Sequence, residues 1–103
     1  MQQSVKNDRQ QEIMDLLRHH KRSLSERFGV IEIGIFGSTA RGEAQAFSDV
    51  DVVVKTKVPD LFLLVNLKEE LEKLLSAEVD LVRYWPRMNP YLKRRIDSEA
   101  RFA

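Results

Sequence analysis

The apolar positions of this chain change their spacing several times, and each change predicts a different element. From about Asp8 to Phe28 they recur every three to four residues, which is the spacing of an amphipathic helix. A second helical stretch starts after Pro59-Asp60, where Asp60 is suited to cap the first turn, and runs through Leu75. The first stripe consists of Ile13, Leu16, Leu17, His20, Leu24 and Phe28. The second consists of Leu64, Leu67, Leu71, Leu74 and Leu75.

Three short runs rich in β-branched residues predict strands near 30–36, 49–55 and 78–83. With a short helix after the first strand and a last helix after Pro90, the element order is α-β-α-β-α-β-α. This order predicts an α/β (α+β) fold, in which helices pack on a small three-stranded mixed sheet. We expect the first two strands to be antiparallel. The third should pair parallel to the second, with the helix over 60–75 as a right-handed crossover.

A polar turn interrupts the first apolar run at Gly37-Ser38, directly before Thr39 and Ala40. A junction between a strand and a helix offers free backbone N–H groups and a positive dipole end. Glycine at 37 lets the backbone approach a phosphate closely, and the Ser38 hydroxyl can add a hydrogen bond. Arg41 has two interpretations that stay open: it binds nucleotide phosphates, or it holds the loop through an ion pair with Glu43 or an active-site aspartate.

Two carboxylates follow this turn at a fixed spacing. Ten residues separate Ser38 from Asp49, and Asp49 and Asp51 flank a single valine. Side chains alternate along a strand, so the two acids share one face, where their like charges repel each other. A divalent cation such as Mg²⁺ would remove that repulsion. Asp80 lies in the third predicted strand, where it could bind a second metal or accept the proton of an attacking hydroxyl.

The overall composition is typical of one small intracellular domain. The 103 residues leave room for a single core, so we expect one domain over 1–103. Seventeen basic and sixteen acidic residues give a net charge of +1, which offers no electrostatic basis for binding DNA. The chain has no cysteine, no apolar leader segment and no apolar run long enough for a membrane span. We therefore expect a cytoplasmic protein.

The strings GSTARG at 37–42, SDVD at 48–51 and VDLV at 79–82 together resemble the minimal nucleotidyltransferases, or MNT domains, of the DNA polymerase β superfamily. The resemblance is strongest over 30–83, and the segment 89–96 is similar to the closing helix of the family. A lone Gly-Ser or a lone D-x-D would occur often by chance, whereas this combination is specific. It implies a polymerase-β-type nucleotidyltransferase fold.

The resemblance also implies an activity. ATP would bind with its triphosphate on Gly37-Ser38 and with Mg²⁺ on Asp49 and Asp51. An acceptor hydroxyl, helped by Asp80, would then attack the α-phosphorus. Minimal nucleotidyltransferases are often paired with a helical HEPN ribonuclease toxin and act as its antitoxin, by transferring AMP to a toxin tyrosine (AMPylation), by binding the toxin, or by both. An adenylylating antitoxin is therefore the expected function.

Two other functions remain open. Nucleotidyl transfer to a small molecule is less favoured, because a chain of this length has no added domain to shape a pocket. A non-catalytic antitoxin would neutralise its partner by masking it, and its site would be vestigial. Separately, the three acids could be a polar cluster that only holds loops in place. Replacing Asp49 and Asp51 distinguishes the two kinds of antitoxin, since a binding module would still neutralise its partner. Homo-oligomers and hetero-complexes are both compatible with the sequence.

Three further features have two interpretations each. Phe62 and Val65 fall off the stripe of their helix, so they form an outer partner-binding patch or are tucked inward by an irregular first turn. His20 fits a core or edge position better than a ligand. The last segment, after Pro86 and Pro90, carries several cations, which form an ordinary exposed helix face or a cluster that steers ATP or an acidic partner. These cations are Lys93, Arg94, Arg95 and Arg101.

Overall fold

The computed structural model describes residues 5–43 and 49–103, with side chains from residue 9 onward, so that Ser48 of the second motif lies outside the described residues. The helices are α1 (Val5–Phe28), α2 (Gly37–Ala40), α3 (Leu61–Leu75) and α4 (Pro90–Glu99). The strands are β1 (Val30–Ile35), β2 (Val50–Thr56), β3 (Val79–Arg83) and β4 (Arg101–Phe102). No helix in the described part of the chain is both long enough and apolar enough to cross a membrane.

The strands form one four-stranded mixed sheet in the order β3-β2-β1-β4. β1 and β2 are antiparallel, and β2 and β3 are parallel and joined through α3, as predicted. The prediction of three strands was wrong, because β4 pairs antiparallel with the end of β1. β4 has only two residues, too few for an alternating pattern. The one sequence feature that relates to β4 is Gly34 in β1. A side chain at this position would clash with the Arg101 carbonyl oxygen, so glycine allows β4 to pack closely against β1.

The two faces of this sheet are covered differently. The α1/α3 face, on which α1 and α3 pack, has buried side chains that include Ile13, Leu17, Leu24, Ile33, Ile35, Val52, Val54, Leu67 and Leu71. The α4 face, on which α4 packs, has a smaller buried cluster of Phe36, Val53, Met88 and Ile96. Because strand side chains alternate, Asp51 lies on the α4 face with Val53, and Asp80 lies there with Val82.

Side-chain caps fix where the last two long helices begin. The Asp60 carboxylate accepts a hydrogen bond from the Leu63 N–H, as predicted for the start of α3. The Asn89 side chain accepts from the N–H groups of Tyr91 and Leu92, and Pro90 occupies the first turn of α4. The Asp60 cap thus fixes the first turn of α3, and the Asn89 cap fixes the first turn of α4.

The exposure of the outer side of α3 decides between the two interpretations of Phe62 and Val65. Phe62 is 84% exposed and Val65 is 49% exposed, so the inward-tucked alternative is wrong. Both side chains lie on the surface. On α1, His20 is partly buried at the edge of the apolar stripe.

Candidate active site

The turn predicted to bind phosphate, Gly37-Ser38, lies where β1 passes into α2 and is called the phosphate turn. Phe36 is the last extended residue, and its N–H donates to the Asp51 carbonyl oxygen at 3.1 Å. Gly37 then adopts a φ of 58°, a left-handed conformation that favours glycine. A Cβ at this position would lie 2.6 Å from Oδ2 of Asp51. Glycine is therefore required at 37 for two reasons, its backbone conformation and the close approach of the Asp51 carboxylate.

The three predicted acids lie at the same end of the sheet. Asp51 and Asp80 are directly paired in the register of β2 and β3, and Asp49 immediately precedes β2. Asp51 is half-buried, whereas Asp49 and Asp80 are exposed. In the described part of the chain, no three histidine or acidic side chains converge closely enough to enclose a metal ion by themselves.

The electrostatics of Asp51 reflect this crowding. Burial raises the pKa of the Asp51 carboxyl above its usual range, and the charges of Asp80 and Asp49 raise it further, while Arg95 and Arg41 lower it. A cation bound between these carboxylates would offset the burial and the repulsion. Mg²⁺ takes only a few protein oxygens and completes its shell with waters and substrate phosphates. The open carboxylate set therefore fits a Mg²⁺ that is shared with a nucleotide.

Thr39 is a supporting residue that the sequence analysis missed. Its side chain is buried, and its Oγ1 accepts a hydrogen bond from the Asp51 N–H at 3.1 Å. This bond joins α2 to the start of β2 and fixes Asp51 relative to the turn. A threonine in a helical first turn carries no sequence signal for such a role, because its partner is twelve residues away.

Arg41 is held by two carboxylates. Its Nε lies 2.8 Å from Glu43 Oε1, and its Nη1 lies 3.0 Å from Glu99 Oε1. The ion pair with Glu43 is the structural interpretation of Arg41, and the geometry confirms that contact. A phosphate-binding role for Arg41 stays a prediction.

Glu99 also contacts the phosphate turn itself. Its Oε2 accepts a hydrogen bond from the Gly37 N–H at 3.1 Å, while its Oε1 accepts from Arg41. Glu99 is the last residue of α4 and lies 62 positions after Gly37, so local sequence patterns gave no signal for it.

The four cations near the end of the chain separate into two groups. Three of them engage partners away from the acids, and these pairs are Lys93 with Asp97, Arg94 with the Tyr91 ring, and Arg101 with Gln10. Arg95 is different. Its Nη2 lies 3.7 Å from the point where a Gly37 Cβ would be, and its charge lowers the pKa of Asp51. Lys93, Arg94 and Arg101, the last of which lies in β4 rather than on α4, thus make contacts elsewhere, whereas Arg95 is exposed and lies beside Gly37 and Asp51.

A glycine turn that touches one of two paired carboxylates, at the open end of a mixed sheet, is the arrangement of a protein that transfers phosphate-containing groups. Residues 17–103 match the family described as nucleotidyltransferase domain, and the chain belongs to this family. The protein adenylyltransferase MntA of Thermococcus cleftensis is 52% identical over 73 residues, which cover 70% of this chain and 74% of that protein.

Solved structures have the same fold. A protein described as a minimal nucleotidyltransferase matches with a TM-score of 0.68 and 35% identity, over 85% of this chain and 93% of that chain. A complex of a tri-AMPylated Shewanella oneidensis HEPN toxin with its MNT antitoxin contains a chain that matches with a TM-score of 0.58 and 20% identity, over 95% of this chain and 71% of that chain. The second likeness is one of fold alone. The family and the nucleotidyltransferase fold predicted from the sequence are confirmed.

Proposed function

We propose that this protein is a Mg²⁺-dependent protein adenylyltransferase that acts as an antitoxin. It transfers AMP from ATP to a hydroxyl, expected to be a tyrosine, of a HEPN ribonuclease toxin in the cytoplasm. The observation that carries the proposal is the contact between the Gly37 turn and Asp51, with Asp80 paired beside it. The similarity to a named protein adenylyltransferase supports the choice of a protein as acceptor.

The nucleotide would lie between the turn and α4. Gly37 and Ser38 offer backbone and hydroxyl donors to phosphate oxygens, and Arg41 and Arg95 add positive charge near the turn. Mg²⁺ would be held by Asp49 and Asp51 and would supply charge neutralisation at the phosphate oxygens, while Asp80 would either hold a second Mg²⁺ or accept the proton of the attacking hydroxyl.

The reaction is an in-line displacement at the α-phosphorus of ATP. The acceptor oxygen forms a bond to this phosphorus, and the bond from the phosphorus to the oxygen bridging to the β-phosphate breaks, so that pyrophosphate leaves. The hydroxyl proton passes to a carboxylate, for which Asp80 is suited because it is exposed beside Asp51. Most of the acceleration would come from positioning and from charge neutralisation.

A second candidate is an antitoxin that neutralises its partner by binding alone. The exposed apolar side chains of Phe62 and Val65 on α3 favour a protein contact on that surface. This function needs neither the acids nor ATP.

The decisive experiment follows the intact mass of a HEPN protein encoded next to this chain. It is incubated with ATP, Mg²⁺ and either wild-type protein or the Asp49→Asn/Asp51→Asn variant. We expect added adenylyl units with wild type only, and peptide mass spectrometry should place them on tyrosine. If no mass is gained and both versions form a stable complex with the HEPN protein, the binding function is correct instead.

A further inference from the structure

The Glu99 carboxylate occupies a position that the proposed function requires for phosphate. Its two oxygens accept from the Gly37 N–H at 3.1 Å and from Arg41 Nη1 at 3.0 Å. The guanidinium of Arg95, one helical turn earlier on α4, also lies near Gly37, with Nη2 3.7 Å from the point where a Gly37 Cβ would be. The donors around Gly37 thus already bind an anion, which the chain itself supplies.

A carboxylate and a phosphate oxygen compete for such donors. Both are anionic acceptors, and the Gly37 N–H can satisfy only one of them with good geometry. Two negative groups at one N–H would also repel each other. A triphosphate seated on the turn through Gly37 and Arg41 therefore requires the Glu99 side chain to leave.

The surroundings of Glu99 allow this movement without a change in the fold. Ile96 anchors α4 in the buried cluster of the α4 face, and the Ala100 N–H donates to the Ile96 carbonyl at the end of the helix. Glu99 is the terminal residue of α4, and its side chain retains 24% exposure. A rotation of this one side chain is enough to move the carboxylate into solvent.

We propose that Glu99 is an internal stand-in for nucleotide phosphate: it holds the Gly37 turn and Arg41 in the free protein and is displaced when ATP binds. This inference rests on the proposed function, because it assumes that the turn receives phosphate. Glu99 then determines nucleotide affinity, since each binding event must first break its two charge-assisted hydrogen bonds. The same carboxylate reoccupies the turn when pyrophosphate leaves.

The test measures the Kd of a non-hydrolysable ATP analogue with Mg²⁺ by calorimetry. Glu99→Gln removes the competing charge and should tighten binding about tenfold, since hydrogen bonds to charged groups are the stronger class. Glu99→Asp keeps the charge but is one methylene shorter, so it loses reach to the turn and should also bind more tightly. Glu69→Gln, which removes the same charge from the exposed side of α3, should leave the Kd within about twofold of wild type.

A second measurement separates displacement from simple support. Without nucleotide, Glu99→Gln should melt at a lower temperature than wild type, because the link to Gly37 and Arg41 is weakened. In Glu99→Gln, the melting temperature should therefore fall while the affinity for the ATP analogue rises. A residue that only supported the turn would lower both when replaced.

The possible results lead to distinct conclusions. Unchanged or weaker binding by Glu99→Gln and Glu99→Asp, with normal binding by wild type, overturns the role of Glu99 and leaves the nucleotide site standing. If Glu99→Gln binds the ATP analogue more tightly but Glu99→Asp does not, the role of Glu99 is also overturned. The negative charge near the turn would then explain the weaker binding by wild type, without any contact between Glu99 and the turn. If wild type itself binds no ATP analogue, both this inference and the proposed function fail. If Glu99→Gln does not fold, Glu99→Asp alone decides.

Discussion

The two faces of the sheet are made by alternate residues of the same strands, yet they do different work. On β2, Val52 and Val54 are buried on the α1/α3 face, while Asp51 on the α4 face meets Asp80 and the phosphate turn. The α1/α3 face consists of packed apolar side chains. The α4 face places a small apolar cluster beside a set of charges. Because successive side chains of a strand point to opposite faces, the residues that stabilise the fold and the charged residues of the candidate site lie on different faces of the sheet.

Substitutions on the two faces should therefore have different effects. A change on the α1/α3 face should alter unfolding and leave the chemistry of the folded molecules intact. A change among the charges should alter chemistry and leave the fold intact. The following predictions test that contrast, starting with the largest expected effect.

Asp51→Asn should reduce AMP transfer to the HEPN partner by at least ~10²-fold, because charge stabilisation by a metal is worth several kcal/mol. The fold should persist, since Asp51 faces the site and its backbone bonds to Phe36 and Thr39 do not use the carboxylate. Transfer assays and circular dichroism on the same sample check both statements. Unchanged transfer would contradict the assignment of the acid.

Leu71→Ala should lower the free energy of unfolding by ~2–5 kcal/mol, since Leu71 is fully buried on the α1/α3 face. Urea unfolding measures this loss. Below the melting transition, AMP transfer per folded molecule should match wild type. Loss of transfer in fully folded protein would break the contrast between the faces. Leu74→Ala, at a partly buried position on the same helix, should have a smaller effect on stability.

Gly37→Ala should lower both stability and transfer. A left-handed conformation costs a non-glycine residue about 1–2 kcal/mol, and the new Cβ would also push against the Asp51 carboxylate. Gly29→Ala is the matched control, because Gly29 has a φ of 68° but its Cβ would only contact the Lys57 Cβ, at 4.0 Å. Both variants should lose stability in thermal melts, Gly37→Ala more than Gly29→Ala because of the added clash, and only Gly37→Ala should lose transfer. Equal transfer by the two variants would refute the role of the close approach.

Thr39→Val should lower stability by ~1 kcal/mol, because the Asp51 N–H loses its acceptor in a partly buried position. Transfer should fall modestly, since Asp51 is then held less firmly against the turn. Thr39→Ser retains the hydroxyl and should restore transfer more fully than stability. Steady-state kinetics beside thermal melts would detect the difference, and failure of serine to rescue would argue against the hydrogen bond.

The smallest effect concerns pH. Burial, with the charges of Asp80 and Asp49, raises the pKa of Asp51 in the folded protein. An acid of this kind binds its proton more tightly in the folded state, so its contribution to stability falls as pH rises from the unfolded value of about 3.9 through the folded value. Metal-free Asp51→Asn should therefore melt slightly above wild type at pH 7, with the difference shrinking towards pH ~4. Solvent screening at this half-buried position keeps the effect small.

Added Mg²⁺ supplies the control for the pH prediction. It should raise the melting temperature of wild type more than that of Asp51→Asn, because only the wild-type carboxylate set is complete. A lower melting temperature for metal-free Asp51→Asn at pH 7 would contradict the electrostatic account of Asp51.

The sequence predicted the parts of the site that depend on short spacing. The turn at Gly37, the alternation of Asp49 and Asp51, and the crossover that pairs Asp80 with Asp51 all follow from local patterns. The contact of Arg41 with Glu43, two residues away, could be anticipated for the same reason.

Contacts that depend on how α4 packs on the sheet could not be predicted from short sequence spacing. Arg94 and Arg95 are adjacent and chemically identical, yet one stacks on Tyr91 and the other faces Asp51. The rotation of α4, fixed by the Asn89 cap and the burial of Ile96, makes that difference. β4 escaped prediction because its pairing depends on tertiary context rather than on its own two residues.

The hydrogen bond from Gly37 to Glu99 also determines the order in which the site assembles during synthesis. The turn and the acids of β2 and β3 leave the ribosome before α4 does, so a nascent chain carries most of the site residues without their final partner. A chain cleaved before α4 would likewise lack Arg95 and Glu99. The arrangement described here, with the turn held by α4, therefore forms only after α4 has been synthesised and has packed on the sheet.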